Sequence, residues 1–321
     1  MDELWPHRLL ATDPASVRKR ISEVCCPPVR HALLRVLPEP ILRTLRSVRV
    51  AALSLGLQKH YKVLQPEEEV EASRNISIIV AICDAPEISR RCLASLERYA
   101  PQSQIIVVDD GSTLPETLGL IEEFRLRRSW TVIRNKVSLG HSRSCEAGAI
   151  VANRPYLCFL NSDTVVTPWS WAASSDAFTT DPRIGVTGPS TSYAATKQEI
   201  QRAMHCRHHW TDSQICAFAA RYVSRQHPRS WVDLPVVGGF AIFIRRSLWN
   251  EMGGFDLNLP DYGNESELCK RVTNRGIRVV WTQNSYIHHL GHQSYARRGN
   301  QYILAKSQAA ASYIDRVHGR R

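Results

Sequence analysis

Tyr156-Leu157-Cys158-Phe159-Leu160-Asn161-Ser162-Asp163-Thr164-Val165 is an apolar run that stops abruptly in small polar residues and one carboxylate. The run Tyr156 to Leu160 fits a strand buried on both faces. A buried strand that delivers an acid at its carboxyl end is how open α/β sheets place ligand-binding groups. Taken alone, the stretch is equally a strand followed by an ordinary Asx or Ser/Thr turn. The flanking segments decide between the two.

Upstream, Ile76-Ser77-Ile78-Ile79-Val80-Ala81-Ile82 is a second buried strand. Ile88, Cys92, Leu96 and Tyr99 have helical spacing, and Ile105 to Val108 is a strand ending in Asp109-Asp110-Gly111-Ser112. Leu118 to Leu126 reads as helix, Trp130 to Ile133 as strand and His141 to Val151 as helix. Strands alternating with helices of this length predict an α/β fold with a mostly parallel central sheet covered on both faces. Downstream, Trp169 to Phe178 is expected to be helical and Ile184 to Pro189 a strand entering a turn. Residues 190–230 are polar and show no clear period, which suits a mobile substrate loop. Val236 to Ile244 reads as a strand with Gly238-Gly239 inside it. A short helix from Arg246 to Met252, a helix from Glu265 to Asn274 closed by Gly276, a strand from Ile277 to Thr282 and a last helix from Tyr302 to Val317 complete the pattern.

The first 65 residues differ. Arg18, Lys19, Arg20, Arg30, Arg35, Arg43, Arg46 and Arg49 make them basic, and Leu33, Leu34, Leu37, Ile41, Leu42 and Leu45 recur at helical spacings broken by Pro27-Pro28, Pro38 and Pro40. We read a basic helical extension over 1–65, an acidic exposed linker over 66–75, the main domain over 76–300 and a C-terminal helix over 301–321. The arginines of the extension are solvated in the simplest reading. Peripheral contact with an anionic membrane is the functional alternative.

The chain has 321 residues and a formal charge of +11. Such a balance favours a polyanionic partner, for which a nucleotide diphosphate, an anionic membrane and nucleic acid all qualify. Nucleic acid has no support beyond the charge. Nine cysteines without a C-x-x-C spacing point to a reducing, cytoplasmic setting with buried free thiols. No apolar run approaches the roughly 18–20 residues of a membrane span, and Met1-Asp2-Glu3-Leu4-Trp5-Pro6 lacks the basic-then-apolar order of a signal peptide.

In a parallel sheet, Asp109-Asp110 and Asp163 emerge on the same edge. Asp109 or Asp110 is suited to accept hydrogen bonds from a base N–H or a ribose hydroxyl, although Asp-Gly also favours a plain turn. Asp163 is suited to a hard divalent cation, Mg2+ or Mn2+. Ile78-Ile79-Val80-Ala81-Ile82-Cys83-Asp84, Arg91-Cys92-Leu93-Ala94-Ser95-Leu96 and Ile106-Val107-Val108-Asp109-Asp110-Gly111-Ser112 together resemble the opening of the family 2, GT-A fold glycosyltransferases. Asn135, Leu139-Gly140, Phe159-Leu160-Asn161-Ser162-Asp163-Thr164, Gly239 to Arg246 and Gly253-Gly254-Phe255-Asp256 extend the resemblance in order. It covers about residues 76 to 295 and is strongest to bacterial rhamnosyltransferase-like members that build cell-surface polysaccharide.

The resemblance implies an inverting transferase that takes a sugar from a nucleotide-diphosphate donor, a dTDP- or UDP-sugar with dTDP-rhamnose among them. The acceptor would be a hydroxyl of a glycan or lipid-linked molecule. It places the nucleoside against Asp84 and either Asp109 or Asp110, and the sugar-diphosphate against Asn161, Ser162 and Asp163. Arg143 is a candidate for the diphosphate and Gly239 for close approach of a substrate to the backbone. It assigns a divalent cation to Asp163 and His289, the latter through His289-Leu290-Gly291-His292-Gln293-Ser294. Asn161 stands where an Asp-x-Asp motif has its first acid. Glu265 matches the catalytic base, one methylene longer than the aspartate expected there. Asn264 and Glu267 have the spacing of a capping box, which would engage Glu267 with backbone and leave Glu265 facing the crevice. Arg297 and Arg298 fall where a segment closes over the diphosphate. A non-catalytic nucleotide-sugar-binding module is the alternative. A nucleotidyltransferase would need a glycine-rich, basic loop after the first strand, and Cys83-Asp84-Ala85-Pro86-Glu87 is not one.

Overall fold

The computed structural model describes residues 65–200, 210–291 and 300–319. The expected basic extension, apart from Gln65, lies outside them, as do His292, Arg297 and Arg298. The described chain opens with α1 (Pro66–Ala72) and a single 3-10 turn, Ser73–Asn75. It continues as β1 (Ile76–Ile82), α2 (Pro86–Tyr99), β2 (Gln104–Asp109), α3 (Pro115–Arg128), β3 (Thr131–Arg134), α4 (His141–Val151) and β4 (Tyr156–Asn161). Then come β5 (Thr164–Val166), α5 (Ala172–Thr180), β6 (Ile184–Ser190), α6 (Asp212–Val223), β7 (Trp231–Asp233) and β8 (Ala241–Arg245). The remaining elements are α7 (Arg246–Met252), α8 (Asn264–Asn274), β9 (Arg278–His289) and α9 (Asn300–His318).

The strands form one sheet in the order β3-β2-β1-β4-β8-β6-β9-β5, with β7 also on β9. β1 to β4 are mutually parallel, as are β6 and β9. β8 enters antiparallel between β4 and β6, and β5 and β7 pair antiparallel with β9. Period-2 alternation explains why the central runs are apolar throughout. Ile78, Val80, Ile82, Cys158, Leu160 and Phe243 join one buried cluster with Leu93, Leu96, Phe124 and Trp171. Ile79, Val108, Phe159, Ile242 and Ile244 join a second cluster with Cys145, Trp249, Leu268 and Val272 of the opposite helices. Each fully buried Leu, Ile or Phe contributes about 1.5–3 kcal/mol. The thiols of Cys92, Cys145, Cys158 and Cys269 are free and buried within these layers.

Three expectations are corrected. The stretch 66–75 is a folded helix and turn, not an exposed linker. Proline at its start and Glu67, Glu68 and Glu69 in the first turn suit a helix N-terminus. The Glu69 carboxylate is buried and accepts the Ala172 N–H at 3.0 Å. Secondly, the strand expected from Val236 starts only at Ala241, because Gly238-Gly239 offer no side chains to a two-sided core. Thirdly, the strand expected over Ile277 to Thr282 runs on to His289, so the histidines lie on a strand end rather than in a loop after it.

The polar region 190–230 is in part regular. α6 is capped by Thr211 and anchored to α2, where Arg91 bonds Asp212 Oδ1 at 2.6 Å and the Trp210 carbonyl at 2.9 Å. Among the described residues no helix is long and apolar enough to cross a membrane.

Candidate active site

The carboxyl ends of β1, β2 and β4 form one edge, and each carries an acid. Asp84, after β1, has φ 57°. Its Oδ1 accepts the Thr113 and Leu114 N–H groups, both at 3.0 Å, and its Oδ2 accepts the Thr113 hydroxyl at 3.3 Å. Asp109 closes β2. It accepts the Ser112 N–H at 2.8 Å and pairs with Arg134 at 3.3 Å.

Asp110 is buried and holds the loop before α4 by four bonds: Asn135 Nδ2 at 2.9 Å, Ser138 Oγ at 2.8 Å, Leu139 N–H at 2.8 Å and Gly140 N–H at 3.1 Å. Burial raises its pKa, but donors from Leu139, Asn135, Ser138 and Ser144 together bring it below the usual aspartate value. Its acceptor positions are therefore filled by protein atoms. Gly111 makes the turn possible: φ is +69°, and a Cβ there would lie 2.4 Å from Ser138 N.

β4 ends at Asn161, whose N–H bonds the Phe240 carbonyl at 2.9 Å. The chain then turns through buried Ser162 and Asp163 into β5, the Thr164 hydroxyl closing the turn onto the Asn161 carbonyl at 2.8 Å. β5 pairs with the end of β9, Thr164 opposite His289. That ladder brings His289 Nε2 to 3.2 Å from Asp163 Oδ1. His289 Nδ1 lies 2.8 Å from the Tyr193 carbonyl. A carbonyl only accepts, so Nδ1 carries a proton and Nε2 meets Asp163 across either a second proton or a cation. Burial lowers the His289 pKa, yet the Asp163 charge, its hydrogen bond and the Tyr193 carbonyl outweigh this and raise it.

Among the described residues no group of three or more His, Cys, Asp and Glu is placed to hold a metal. A carboxylate beside an imidazole with its far nitrogen tied to a carbonyl nevertheless fits a divalent cation. The remaining coordination would fall to phosphate oxygens and water, as Mg2+ prefers.

Glu265 approaches from the other side. α8 is started by Gly263, whose φ of 78° makes the chain turn. The expected capping box is absent. Glu267 instead forks onto Arg271 at 2.6–2.8 Å and meets His318 at 2.9 Å. Asn264 lies in the first turn, donating to Ser142 Oγ at 3.0 Å and accepting the Glu265 N–H at 2.9 Å. The consequence expected of the box survives by this other route, since Glu265 makes no ion pair with any described residue. Desolvation raises its pKa, and only its own N–H opposes this. Its Cδ is 3.3 Å from where a Cβ on Gly239 would sit, so any larger residue there would press on the carboxyl group.

Arg143 is exposed on α4. Sequence reasoning missed four residues that the fold brings to this edge. Arg134 pairs with Asp109. Tyr193 presents its carbonyl to His289 and its ring at 5.9 Å from the imidazole. Gln198 is fully buried, accepts the Gly238 N–H at 2.6 Å and donates to the Pro189 carbonyl at 2.8 Å, fixing the loop that carries Gly239. His141 opens α4, and the charges of Asp261, Asp110 and Asp163 act on it. Tyr193 and Gln198 fall in the stretch without a period and gave no signal. Only the adjacency of His141 to the Leu139-Gly140 motif pointed to it.

An open α/β sheet that gathers acids and an imidazole along the carboxyl edge of its parallel half, with an antiparallel strand completing the crevice, defines the GT-A class of fold. Similarity bears this out. The model for glycosyl transferase family 2 matches residues 77–251, and the chain belongs to that family. The chain is 25% identical over 252 residues to the O-antigen biosynthesis protein RfbC of Myxococcus xanthus, covering 75% of this chain and 19% of that protein. It is 29% identical over 106 residues to an uncharacterised protein of Mycobacterium tuberculosis, covering 32% of this chain and 40% of the relative. It thus spans well under half the length of either. Among solved structures it resembles GalNAc-T7, determined with UDP, GalNAc and Mn2+, with a TM-score of 0.50 and 17% identity over 67% of this chain and 43% of that one.

Proposed function

We propose that the domain over 76–300 transfers a sugar, with inversion, from a nucleotide-diphosphate donor to a hydroxyl of a glycan or lipid-linked acceptor. The observation that carries this reading is the placement of Glu265 against Gly239 on the edge where Asp163 meets His289. In this reading the nucleoside lies by Asp84 and Asp109, on the wall whose loop Asp110 holds. The diphosphate lies by Asn161, Ser162 and Asp163, with Arg143 near the entrance. The acceptor approaches over the Gly238-Gly239 backbone.

Glu265, ionised, takes the proton of the acceptor hydroxyl as that oxygen attacks the anomeric carbon. The bond from that carbon to the phosphate oxygen breaks, and its electron pair leaves with the diphosphate. Desolvation moves the Glu265 pKa toward working pH, which strengthens it as a base while leaving it ionised above that value. Asp163 and His289 would hold a divalent cation, which would supply positive charge to offset that building on the leaving diphosphate. Positioning accounts for much of the remaining rate. Donor and acceptor types follow from the resemblance to rhamnosyltransferase-like members and from the O-antigen relative. A dTDP- or UDP-sugar is the proposed donor, and a cytoplasmic or membrane-peripheral polysaccharide pathway the proposed setting.

The test is binding and turnover across a panel of nucleotide-sugars with and without Mn2+. Cation-dependent stabilisation by one of them, with sugar transfer abolished in Glu265→Gln but binding kept, is the expected result. Full turnover in Glu265→Gln removes Glu265 as the base. Tight binding without transfer to any acceptor by the wild type favours a non-catalytic module.

A further inference from the structure

The proposed mechanism leaves one imidazole at the crevice unused. His141 is the first residue of α4, after Gly140, and is half-buried. The start of this helix is not open to a phosphate in the usual way. The Ser142 N–H already bonds the Pro260 carbonyl at 2.8 Å, and the His141 N–H approaches Asp261 Oδ1 at 3.5 Å. What remains is the side chain. Its Nε2 lies 3.4 Å from Cys145 Sγ, one helical turn on.

Cys145 is wholly buried, and burial pushes its thiol pKa well up, so the sulfur keeps its proton. A thiol is a weak donor and a poorer acceptor, so the contact is satisfied when S–H points at a bare Nε2. The imidazole proton then sits on Nδ1, and no protein atom among the described residues takes it. Desolvation also lowers the His141 pKa against the opposing charges of Asp261, Asp110 and Asp163, which keeps the ring neutral. A neutral N–H beside carboxylates suits a hydroxyl better than an anion. A hydroxyl accepts from the imidazole and donates to a carboxylate at once.

We propose that His141 is a specificity-determining residue whose Nδ1–H donates to a hydroxyl of the sugar being transferred, with Cys145 fixing the tautomer. The assignment rests on the reading of the crevice as a nucleotide-sugar site.

Two measurements on the full chain test it. Nitrogen-15 NMR of the His141 ring reports the tautomer with no ligand present. The expected form is Nδ1–H in the wild type and in Cys145→Ser, with a shift toward Nε2–H in Cys145→Ala. An Nε2–H ring in the wild type overturns the proposal. Calorimetry with Mn2+ then compares UDP with UDP-glucose and UDP-GlcNAc, GDP with GDP-mannose, and dTDP with dTDP-rhamnose. For whichever pair binds, His141→Ala should weaken the nucleotide-sugar about 10- to 100-fold, the range for a lost buried hydrogen bond. The matching nucleoside diphosphate should be unchanged, and His141→Gln, which restores an N–H donor, should recover part of the loss. An equal fall for the nucleoside diphosphate would make His141 a phosphate contact, and no fall for either would remove it from the site; both overturn the proposal. If no nucleotide or nucleotide-sugar binds the wild type, the nucleotide-sugar reading itself fails and the hydroxyl assignment with it, while the NMR result still settles the His141–Cys145 pair.

Discussion

Two ends of the same sheet edge carry acids and treat them in opposite ways. At the β2 end, Asp110 is buried and receives four hydrogen bonds from the loop that leads into α4. At the α8 end, Glu265 receives none from another described residue. Burial raises both carboxyl groups, yet Asp110 ends below its ordinary value and Glu265 above. The number of donors decides the sign. An acid given enough donors becomes a fixed part of the scaffold. An acid left with few keeps its oxygens open and its proton affinity high. Glu69, on α1, is buried with N–H groups of Ala172 and Trp171 as donors, yet desolvation still raises its pKa to about 7.

The sharpest way to break this comparison is Glu265→Gln. Transfer should fall about 10²–10⁴-fold with no loss of melting temperature. In the wild type the rate should be lost on acidification at a pH above the ordinary glutamate range, because only ionised Glu265 accepts a proton. An acid limb at or below pH 4.5 would contradict the raised pKa, whose ordinary value is 4.5. Chelation, or Asp163→Ala, comes next. Removing the cation is expected to cost about 10²-fold in turnover and to erase the Mn2+ dependence of nucleotide-sugar binding, read by calorimetry.

Glu69→Gln extends the comparison to stability. The folded carboxyl holds its proton up to about pH 7, whereas the ordinary value is 4.5. Below about 4.5 both folded and unfolded chains are protonated there, and this carboxyl costs no stability. As pH rises from 4.5 to about 7, the unfolded chain ionises first and stability falls, by up to roughly 3 kcal/mol. Glu69→Gln keeps the acceptor for Ala172 and should be more stable than the wild type at pH 8 but not at pH 4.5. A difference independent of pH, measured by denaturant unfolding, would refute the raised pKa.

The smallest effect is expected of Asp110→Asn. It loses an acceptor to the loop and should cost about 1.5–3 kcal/mol of stability, as for hydrogen bonds to a charged group. Unlike Glu265→Gln, it should lower the melting temperature. A stable Asp110→Asn with lost nucleotide binding would return Asp110 to the role the sequence suggested.

The first half of the fold was legible because its strands are buried on both faces. Ile76 to Ile82 and Tyr156 to Leu160 are nearly continuous apolar runs, and β1 matches its predicted span. The second half was harder. β5 is too short to show a pattern, β9 carries Thr282, Gln283, Asn284 and Ser285 in mid-strand, and Gly238-Gly239 broke a run that looked like one strand. Within the site, Glu265 was placed from its position in a motif, but the reason given for its freedom was wrong. Glu267 is drawn to Arg271 and to His318 of α9, a partner 51 positions away that no local spacing reveals.

The sequence by itself determined the α/β alternation, the family resemblance and the acids that reach one edge of the sheet, because strand period and order are local properties. Only the tertiary structure decided which of those acids have their oxygens filled by protein donors. The donors that fill Asp110 come from residues 25 to 30 positions on. The imidazole that meets Asp163 comes from 126 positions away. Hydrogen bonding is short-ranged in space and indifferent to separation along the chain, so the same Asp or Glu becomes scaffold or reagent according to what the fold brings within about 3 Å of it.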